Sequence, residues 1–222
     1  MAQLQKIKPR MTKRDRKQRI ADAVKELILW DADLARAYEF GGPFHDRSRK
    51  AGFETLVLLV VEQQLSLASA AAIMGRIREA VVPFKPETLL GMSCSSLRGL
   101  GLSGAKVRYC RALAQAFVNG DLRLARLACL DDTRAIEELT KIKGIGPWTA
   151  EIYLLSALGR LDILPAGDLA LQVAAQHLYD LSDRPSAKAL YELGEGWRPY
   201  RSVAARILWQ YYRALKGREV TP

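Results

Sequence analysis

One carboxylate in this chain, Asp168, has a sequence neighbourhood that could support chemistry. It follows Pro165-Ala166-Gly167 and precedes an apolar helical stretch, so we expect it to cap the N-terminus of a helix. The N–H groups at a helix start would hold the carboxylate in its ionised form. Such a group stabilises the oxocarbenium-like sugar that forms when a glycosidic bond breaks, or orients the attacking water. This chemistry requires no metal, and a purely structural cap is compatible with it.

A glycine-rich hairpin precedes this carboxylate in the chain. Residues 141–147 read Lys-Ile-Lys-Gly-Ile-Gly-Pro, and the glycines permit a positive φ and the close approach of a ligand. The proline fits the first position of a helix, whose free N–H groups would point at an anion. We expect the hairpin to hold a nucleic-acid backbone without reading bases, although a structural turn between helices is the alternative. The predicted contacts are Lys141, Lys143, Gly144, Ile145, Gly146 and Thr149.

The overall charge favours a polyanionic partner. The 222 residues include 34 Lys and Arg against 24 Asp and Glu, which gives a net charge of +10. A charge of this size bears on partners rather than on fold, and it is typical of proteins that bind nucleic acids. A basic protein without such a partner is the alternative.

The composition argues against several other classes of protein. The cysteines Cys94, Cys110 and Cys129 are too widely spaced to suggest a zinc site or a disulfide framework. No apolar run is long enough to span a membrane, and the N-terminus lacks the apolar core of a secretory signal. We therefore expect an intracellular protein with reduced thiols and no membrane partner.

The hydrophobic pattern predicts an all-α protein. Apolar residues recur at helical spacing through most of the chain, and no segment shows sustained two-residue alternation. About ten short helices are expected on this pattern and its capping signals. Residues 1–20 are predicted to form a basic N-terminal arm, residues 21–215 the folded domain, and residues 216–222 a tail.

Two further features need an explanation. Gln63, Gln64 and Leu65 interrupt a largely apolar region just before a helix that Ser66 could cap. They form either a surface turn or a loop that probes DNA. Lys106 lies in the first turn of another predicted helix, where a cation is unfavourable for the helix dipole unless an anion such as a phosphate lies nearby.

Residues 139–150 together with Asp168 resemble the helix-hairpin-helix superfamily of DNA glycosylases. Within it, the chain is similar to the alkylpurine branch, the 3-methyladenine DNA glycosylase II type. Residues 62–66, 97–106 and 197–209 agree with this resemblance. The hairpin is shared by many DNA-binding proteins, whereas its combination with the spaced aspartate and a Trp-x-Pro-x-Arg-Ser stretch is far more specific.

The resemblance implies two all-α lobes around a DNA-binding cleft, and a hydrolase of base excision repair. A damaged base of double-stranded DNA would flip out of the duplex and be excised beside Asp168. A residue from Gln63, Gln64 and Leu65 would fill the gap that the base leaves in the stack. The protein is expected to be a monomer that works where the DNA is, in a bacterial cytoplasm or a nucleus.

Two departures from the family pattern bear on mechanism. Relatives that also cleave the strand carry a lysine just after the glycine hairpin, where this chain has Trp148. We therefore expect a monofunctional enzyme that leaves an abasic site. An iron–sulfur cluster, which some relatives hold with four grouped cysteines, is not expected. By the same resemblance, the main-chain carbonyls of Thr140, Ile142 and Gly144 would bind a sodium or potassium ion, and no other cofactor is implied.

The resemblance also implies a pocket for the flipped base. Trp148 and Trp209 match aromatic pocket positions, and Ile152 stands where a bacterial member has an aromatic residue. Aromatic faces attract a cationic N-alkylated purine by about 0.5–2 kcal/mol. Burial of the two tryptophans in the core is the alternative.

Two other residues are expected to support the site, and a third is a rival to Asp168. Tyr200 and Arg201 precede the last predicted helix, where they would support the site. For Arg201, contact with phosphate and a structural salt bridge are both open. Asp162, the rival carboxylate to Asp168, is predicted to be a solvated turn residue at a helix end.

Three functions are compatible with these features. The first is excision of alkylated purines such as 3-methyladenine and 7-methylguanine. The second is non-catalytic recognition of DNA structure, in which Asp168 is only a cap. The third is excision of a neutral purine lesion such as hypoxanthine.

Overall fold

The computed structural model describes residues 13–43 and 48–219. Residues 1–12 of the predicted arm and 220–222 of the predicted tail lie outside them. Within the described residues the backbone forms helices and no strand, so the all-α prediction is confirmed. The α-helices are α1 (Lys13–Trp30), α2 (Ala32–Gly41), α3 (Phe53–Glu62), α4 (Leu67–Ala80), α5 (Pro86–Gly91), α6 (Cys94–Gly99), α7 (Gly104–Val118), α8 (Leu124–Cys129), α9 (Asp132–Thr140), α10 (Pro147–Tyr153), α11 (Leu169–Leu178), α12 (Ala187–Leu193) and α13 (Arg201–Glu219). A π-helix (Leu154–Leu158) and a 3-10 turn (Gly194–Trp197) complete the described elements.

The predicted boundaries of the arm and the tail need correction. Residues 13–20, assigned to the arm, are the first turns of α1, and Ile20 is buried against the core. Arg16 in these turns donates hydrogen bonds to the carbonyls of Leu155 and Ser156, at 2.9 and 2.7 Å. At the other end, α13 continues past the predicted start of the tail. The many basic residues of this segment led to its assignment to the arm. One face of α1 is basic, but another face is buried against the core.

Capping residues place the helix starts where the site needs them. The side chains of Ser66 and Ser103 each accept a hydrogen bond from the N–H three residues ahead, at the starts of α4 and α7. Asp168 caps α11 in the same manner, as its position after a glycine predicts. Pro147 occupies the first turn of α10, where its missing N–H leaves no hydrogen bond unmade.

The helices form two packed groups. In the first group, α3 packs on α4, α7 and α10. Helix α7 also contacts α5 and α6, and α9 packs on α8 and α10. In the other, α13 packs on α1, α2 and α11, so the N-terminal and C-terminal helices share one group. Burial of apolar side chains stabilises both groups. The π-helix and Asp168 lie in the segment that connects them. Buried core residues include Leu56, Val60, Met74, Leu113 and Leu139 in the first group, and Leu27, Leu34, Leu171, Ala204 and Leu208 in the second.

Candidate active site

The carboxylate of Asp168 is the most heavily coordinated acceptor at the junction of the two groups. Its Oδ1 accepts from the N–H groups of Ala170 (3.0 Å) and Leu171 (3.2 Å) and from Nε1 of Trp209 (3.1 Å). Its Oδ2 accepts from Nε1 of Trp148 at 2.9 Å. Four N–H donors therefore hold both carboxylate oxygens and fix their orientation.

The two tryptophans have a role that the sequence did not suggest. Trp148 and Trp209 were expected as aromatic walls or as core, and both are partly buried beside the pocket. Their indole N–H groups also hold the two oxygens of Asp168. Trp209 reaches this position from α13, which packs on α11, and it lies far from Asp168 in the chain, so no local spacing could reveal the contact.

A pocket of about 520 Å³ opens beside this carboxylate. It lies between the two helix groups, and its volume suits a small planar ligand such as a base. The predicted pocket residues Trp148, Ile152 and Trp209 all line it. The lining comprises Arg49, Glu62, Gln64, Leu65, Leu67, Trp148, Ile152, Leu155, Ser156, Asp168, Leu169, Arg206, Trp209 and Arg213.

An ion pair on the pocket wall was missed in the sequence. Arg49 and Glu62 pair through both guanidinium nitrogens, at 2.9 and 3.0 Å, and both side chains are largely buried. Arg206 and Arg213 also line the pocket from α13. Arg49 lies in a segment without a sequence motif, so its role in the pocket is evident only from its contact with Glu62 at the end of α3.

A π-helix shapes one side of the pocket. Leu154–Leu158 continues α10 with wider turns and ends at Gly159, whose φ of 72° is left-handed. Its carbonyls at Leu155 and Ser156 accept hydrogen bonds from Arg16, which compensates the altered helical pattern. The same two residues line the pocket.

The hairpin between α9 and α10 uses its two glycines differently. Gly144 has φ +93°, and a Cβ there would lie 2.2 Å from the ring of Tyr109. Gly146 has φ −87°, and a Cβ there would meet nothing within 4 Å. Packing against Tyr109 therefore requires a glycine at 144, whereas at 146 only an approaching ligand would require one.

The other predicted hairpin contacts divide between surface and core. Lys141 and Lys143 are exposed, and Lys141 also pairs with Glu138 at 2.8 Å. Ile145 and Thr149 are buried, so their side chains do not face a ligand. Ile145 anchors the turn in the core, which leaves only main-chain groups at these two positions for a backbone contact.

The loop at residues 63–66, between α3 and α4, turns one glutamine inward. Nε2 of Gln63 donates to the carbonyl of Gly144 (2.9 Å) and to Oγ1 of Thr149 (3.0 Å). Gln64 adopts a left-handed φ of 56° and is exposed, as is Leu65. Gln63 is thus unsuited to enter a duplex, and Gln64 and Leu65 remain as candidates.

The prediction that Lys106 contacts a phosphate is corrected. Its Nζ donates to the carbonyls of Val61 and Gln63, each at 2.7 Å, at the end of α3. Burial lowers the pKa of Lys106. A cation at a helix C-terminus is favourable, so this lysine stabilises the end of α3 rather than the start of its own helix.

Tyr200 and Arg201 lie outside the pocket lining. Arg201 is buried and pairs with Asp162 at 2.9 Å and with Glu195 at 3.1 Å, which answers the open question in favour of a structural salt bridge. Tyr200 donates to Glu26 at 2.9 Å. Asp162 is accordingly an engaged partner in an ion-pair cluster, not the solvated turn residue that was predicted.

The described part of the chain holds no cluster of three or more His, Cys, Asp or Glu that could bind a metal ion. Cys94, Cys110 and Cys129 are free thiols. Among the described helices, none has the length and apolar character needed to cross a membrane.

Comparison with known proteins establishes the class. The family model of the HhH-GPD superfamily base excision DNA repair proteins matches residues 57–199, and the chain belongs to this superfamily. The family resemblance drawn from the hairpin and Asp168 is thereby confirmed.

Individual relatives agree with this assignment. DNA-3-methyladenine glycosylase 1 of Schizosaccharomyces pombe is 31% identical over 76% of this chain and 75% of its own length. YfjP of Bacillus subtilis is 30% identical over 71% of this chain, which spans only 58% of that protein.

Solved structures share the fold. The S. pombe 3-methyladenine DNA glycosylase Mag1, solved in complex with abasic DNA, has a TM-score of 0.78 at 29% identity and covers 85% of this chain and 95% of its own. A DNA-3-methyladenine glycosidase from Bacillus halodurans has a TM-score of 0.77 at 37% identity, with 88% and 91% of the two chains covered.

Proposed function

We propose that this protein is a monofunctional DNA glycosylase of base excision repair that removes alkylated purines from double-stranded DNA. The observation that carries the proposal is the carboxylate of Asp168, held by four N–H donors at the edge of a base-sized pocket. Relatives named DNA-3-methyladenine glycosylase, and a related enzyme solved with abasic DNA, support it.

The proposed reaction is hydrolysis of the bond between the sugar and the flipped base. The bond electrons leave with the base, and the sugar becomes oxocarbenium-like. Asp168 stabilises that cation and orients the water, whose oxygen bonds to the sugar carbon while its proton passes to the carboxylate. An N-alkylated purine departs readily because it already carries a positive charge.

The product would be an intact strand with an abasic site. Strand cleavage by a Schiff base needs an amine next to the sugar, and Trp148 stands at the position following the hairpin. The pocket lining of the described chain contains arginines but no lysine. This supports hydrolysis without a lyase step.

The hairpin is proposed to hold the DNA backbone. Exposed Lys141 and Lys143 flank a turn that leads into the N-terminus of α10, and the chain carries a net charge of +10. We also propose a bound sodium or potassium ion on the carbonyls of Thr140, Ile142 and Gly144. The latter two each accept one hydrogen bond and retain a second lone pair, so they fit such an ion. A monomer acting on genomic DNA is part of the proposal.

Release of 3-methyladenine and 7-methylguanine from methylated duplex DNA tests the proposal. Asp168→Asn keeps a helix-capping side chain but removes the charge. We expect excision to fall by about 100-fold or more, with a folded protein whose thermal midpoint is moderately lowered, because the new NH2 group faces one of the indole N–H donors. Asp183→Asn, at an exposed position, is the matched control and should leave excision unchanged. Equal release by wild type and Asp168→Asn would overturn the catalytic assignment.

A panel of duplexes with defined lesions separates the alternatives. Preference for 3-methyladenine and 7-methylguanine over hypoxanthine supports the alkylpurine assignment, and the reverse order indicates a neutral lesion. Binding of DNA without release of any base would instead identify a non-catalytic module.

A further inference from the structure

The loop at residues 63–66 contributes to the pocket and lies beside the hairpin. Gln64 and Leu65 line the pocket, and both are exposed. Under the proposed function, on which this inference rests, such a loop would occupy the gap left by a flipped base. The loop can enter the duplex at the vacated base position only if it lies at the correct distance from the bound DNA backbone.

The side chain of Gln63 links this loop directly to the hairpin. An amide nitrogen has two hydrogens, and both find acceptors there, on Gly144 at 2.9 Å and Thr149 at 3.0 Å. Gly144 is the left-handed residue of the turn, and Thr149 is buried in the first turns of α10. Both acceptors are therefore rigidly held.

Two other contacts fix the loop where it leaves α3. Lys106 donates to the carbonyl of Gln63 itself at 2.7 Å. The preceding residue, Glu62, pairs with Arg49 at 2.9 Å. Because the main chain is held at this point, the amide of Gln63 is directed at the hairpin and need not be ordered when DNA binds.

We infer that Gln63 is a positioning residue that couples the hairpin, which holds the DNA backbone, to the loop that fills the vacated base position. The hairpin sets where the phosphates lie, and Gln63 sets the distance from them to Gln64 and Leu65. Without its two hydrogen bonds the loop and the hairpin still form, but they no longer keep a fixed relative position.

Fluorescence of 2-aminopurine placed beside a tetrahydrofuran abasic analogue tests this coupling. The 2-aminopurine fluorescence rises when the base stack is opened and a side chain enters. Because the tetrahydrofuran site carries no base, nothing is excised there during the measurement. Gln63→Ala should lower the fluorescence change at saturating protein by about 5-fold or more. Affinity for undamaged duplex should stay within about 2-fold, since the lysines of the hairpin are intact. Gln115→Ala, on the exposed face of α7, is the matched control.

Two more variants keep the inference testable if Gln63→Ala folds poorly. Gln63→Glu has the same shape but cannot donate to the carbonyl of Gly144, and it should show the same loss. Thr149→Val removes one acceptor and should give a smaller loss, and added to Gln63→Ala it should have no further effect.

Each outcome bears on a different claim. If Gln63→Ala and Gln63→Glu give the wild-type fluorescence change, the coupling role is wrong even though the enzyme excises alkylated bases. If the wild type opens the abasic duplex but releases no alkylated base, the proposed function fails while the role of Gln63 stands.

Discussion

At the scale of single residues, the arrangement around Asp168 explains how a helix cap can also be positioned for the proposed catalytic role. The α11 N–H groups satisfy part of Oδ1, and the indoles of Trp148 and Trp209 hold both oxygens from other directions. The helix sequence predicted the cap, and the resemblance predicted the tryptophans. The hydrogen bond from Trp209 depends on the packing of α13 against α11, and the one from Trp148 depends on where α10 meets the start of α11. No local pattern encodes either contact.

The indole N–H groups can be separated from the indole rings by substitution. Trp209→Phe retains an aromatic wall but removes the donor to Oδ1. A hydrogen bond to a charged group contributes about 1.5–3 kcal/mol, so we expect the single-turnover excision rate to fall by roughly 10-fold or more. Inhibition by free 3-methyladenine, which reports on the ring, should change little. Trp30→Phe, at an exposed and remote position, is the control, and an unchanged rate in Trp209→Phe would show that the indole N–H is dispensable.

At the scale of elements, the hairpin was predicted well and the loop before α4 was not. Glycines, a helix-starting proline and capping serines are local signals, and each lies where the sequence placed it. The inward turn of Gln63 and the reversal of Lys106 toward α3 come from contacts between distant segments. No local signal in the sequence predicts the π-helix, and two of its carbonyls accept hydrogen bonds from Arg16 on the distant helix α1.

Alanine substitutions should separate the structural glycine from the ligand-facing glycine. Gly144→Ala would place a Cβ against the ring of Tyr109 at a positive φ, so we expect a loss of about 2 kcal/mol or more in stability. Gly146→Ala meets nothing within 4 Å and should change the stability by less than about 0.5 kcal/mol. It should nevertheless weaken DNA binding, because its methyl group would face the phosphate that the hairpin is proposed to hold.

Thermal unfolding and binding titrations at several salt concentrations measure the two effects. The two variants should differ in which quantity changes. Gly144→Ala should lower the melting temperature, whereas Gly146→Ala should raise the Kd for duplex DNA without changing the melting temperature. If Gly146→Ala bound duplex as tightly as wild type, the hairpin would not approach the backbone at that residue.

At the scale of the whole molecule, charged contacts hold the start of α13 against the connection between the two helix groups. Arg201 at the start of α13 is held by Asp162 and Glu195. Glu151 on α10 is a different case, because burial raises its pKa to about 7 and the charge of Arg201 only partly offsets this. The sequence left the salt bridge of Arg201 open as one of two alternatives and did not identify Glu151, since the burial of a single acidic residue depends on the finished packing.

Glu151 makes the stability of the whole fold depend on pH. Its pKa is about 7 in the folded protein against 4.5 for the unperturbed group, so the folded state binds the proton more tightly. The stabilisation is therefore complete below pH 4.5 and is lost as the pH rises towards 7. Glu151→Gln, which resembles the protonated form, should match the wild type at low pH and exceed its free energy of unfolding at pH 8 by up to about 3 kcal/mol.

Urea unfolding of both proteins across this pH range measures the difference and cancels the contribution of every other titrating group. Glu192→Gln, on the exposed face of α12, should run parallel to wild type at all pH values. If Glu151→Gln instead differed from wild type by a constant amount, the pKa of Glu151 would be the same in the folded and unfolded states. We expect the difference in free energy of unfolding between Glu151→Gln and wild type to rise only between pH 4.5 and about 7. That result would show that Glu151, on α10 near Arg201 at the start of α13, holds a proton in the folded protein.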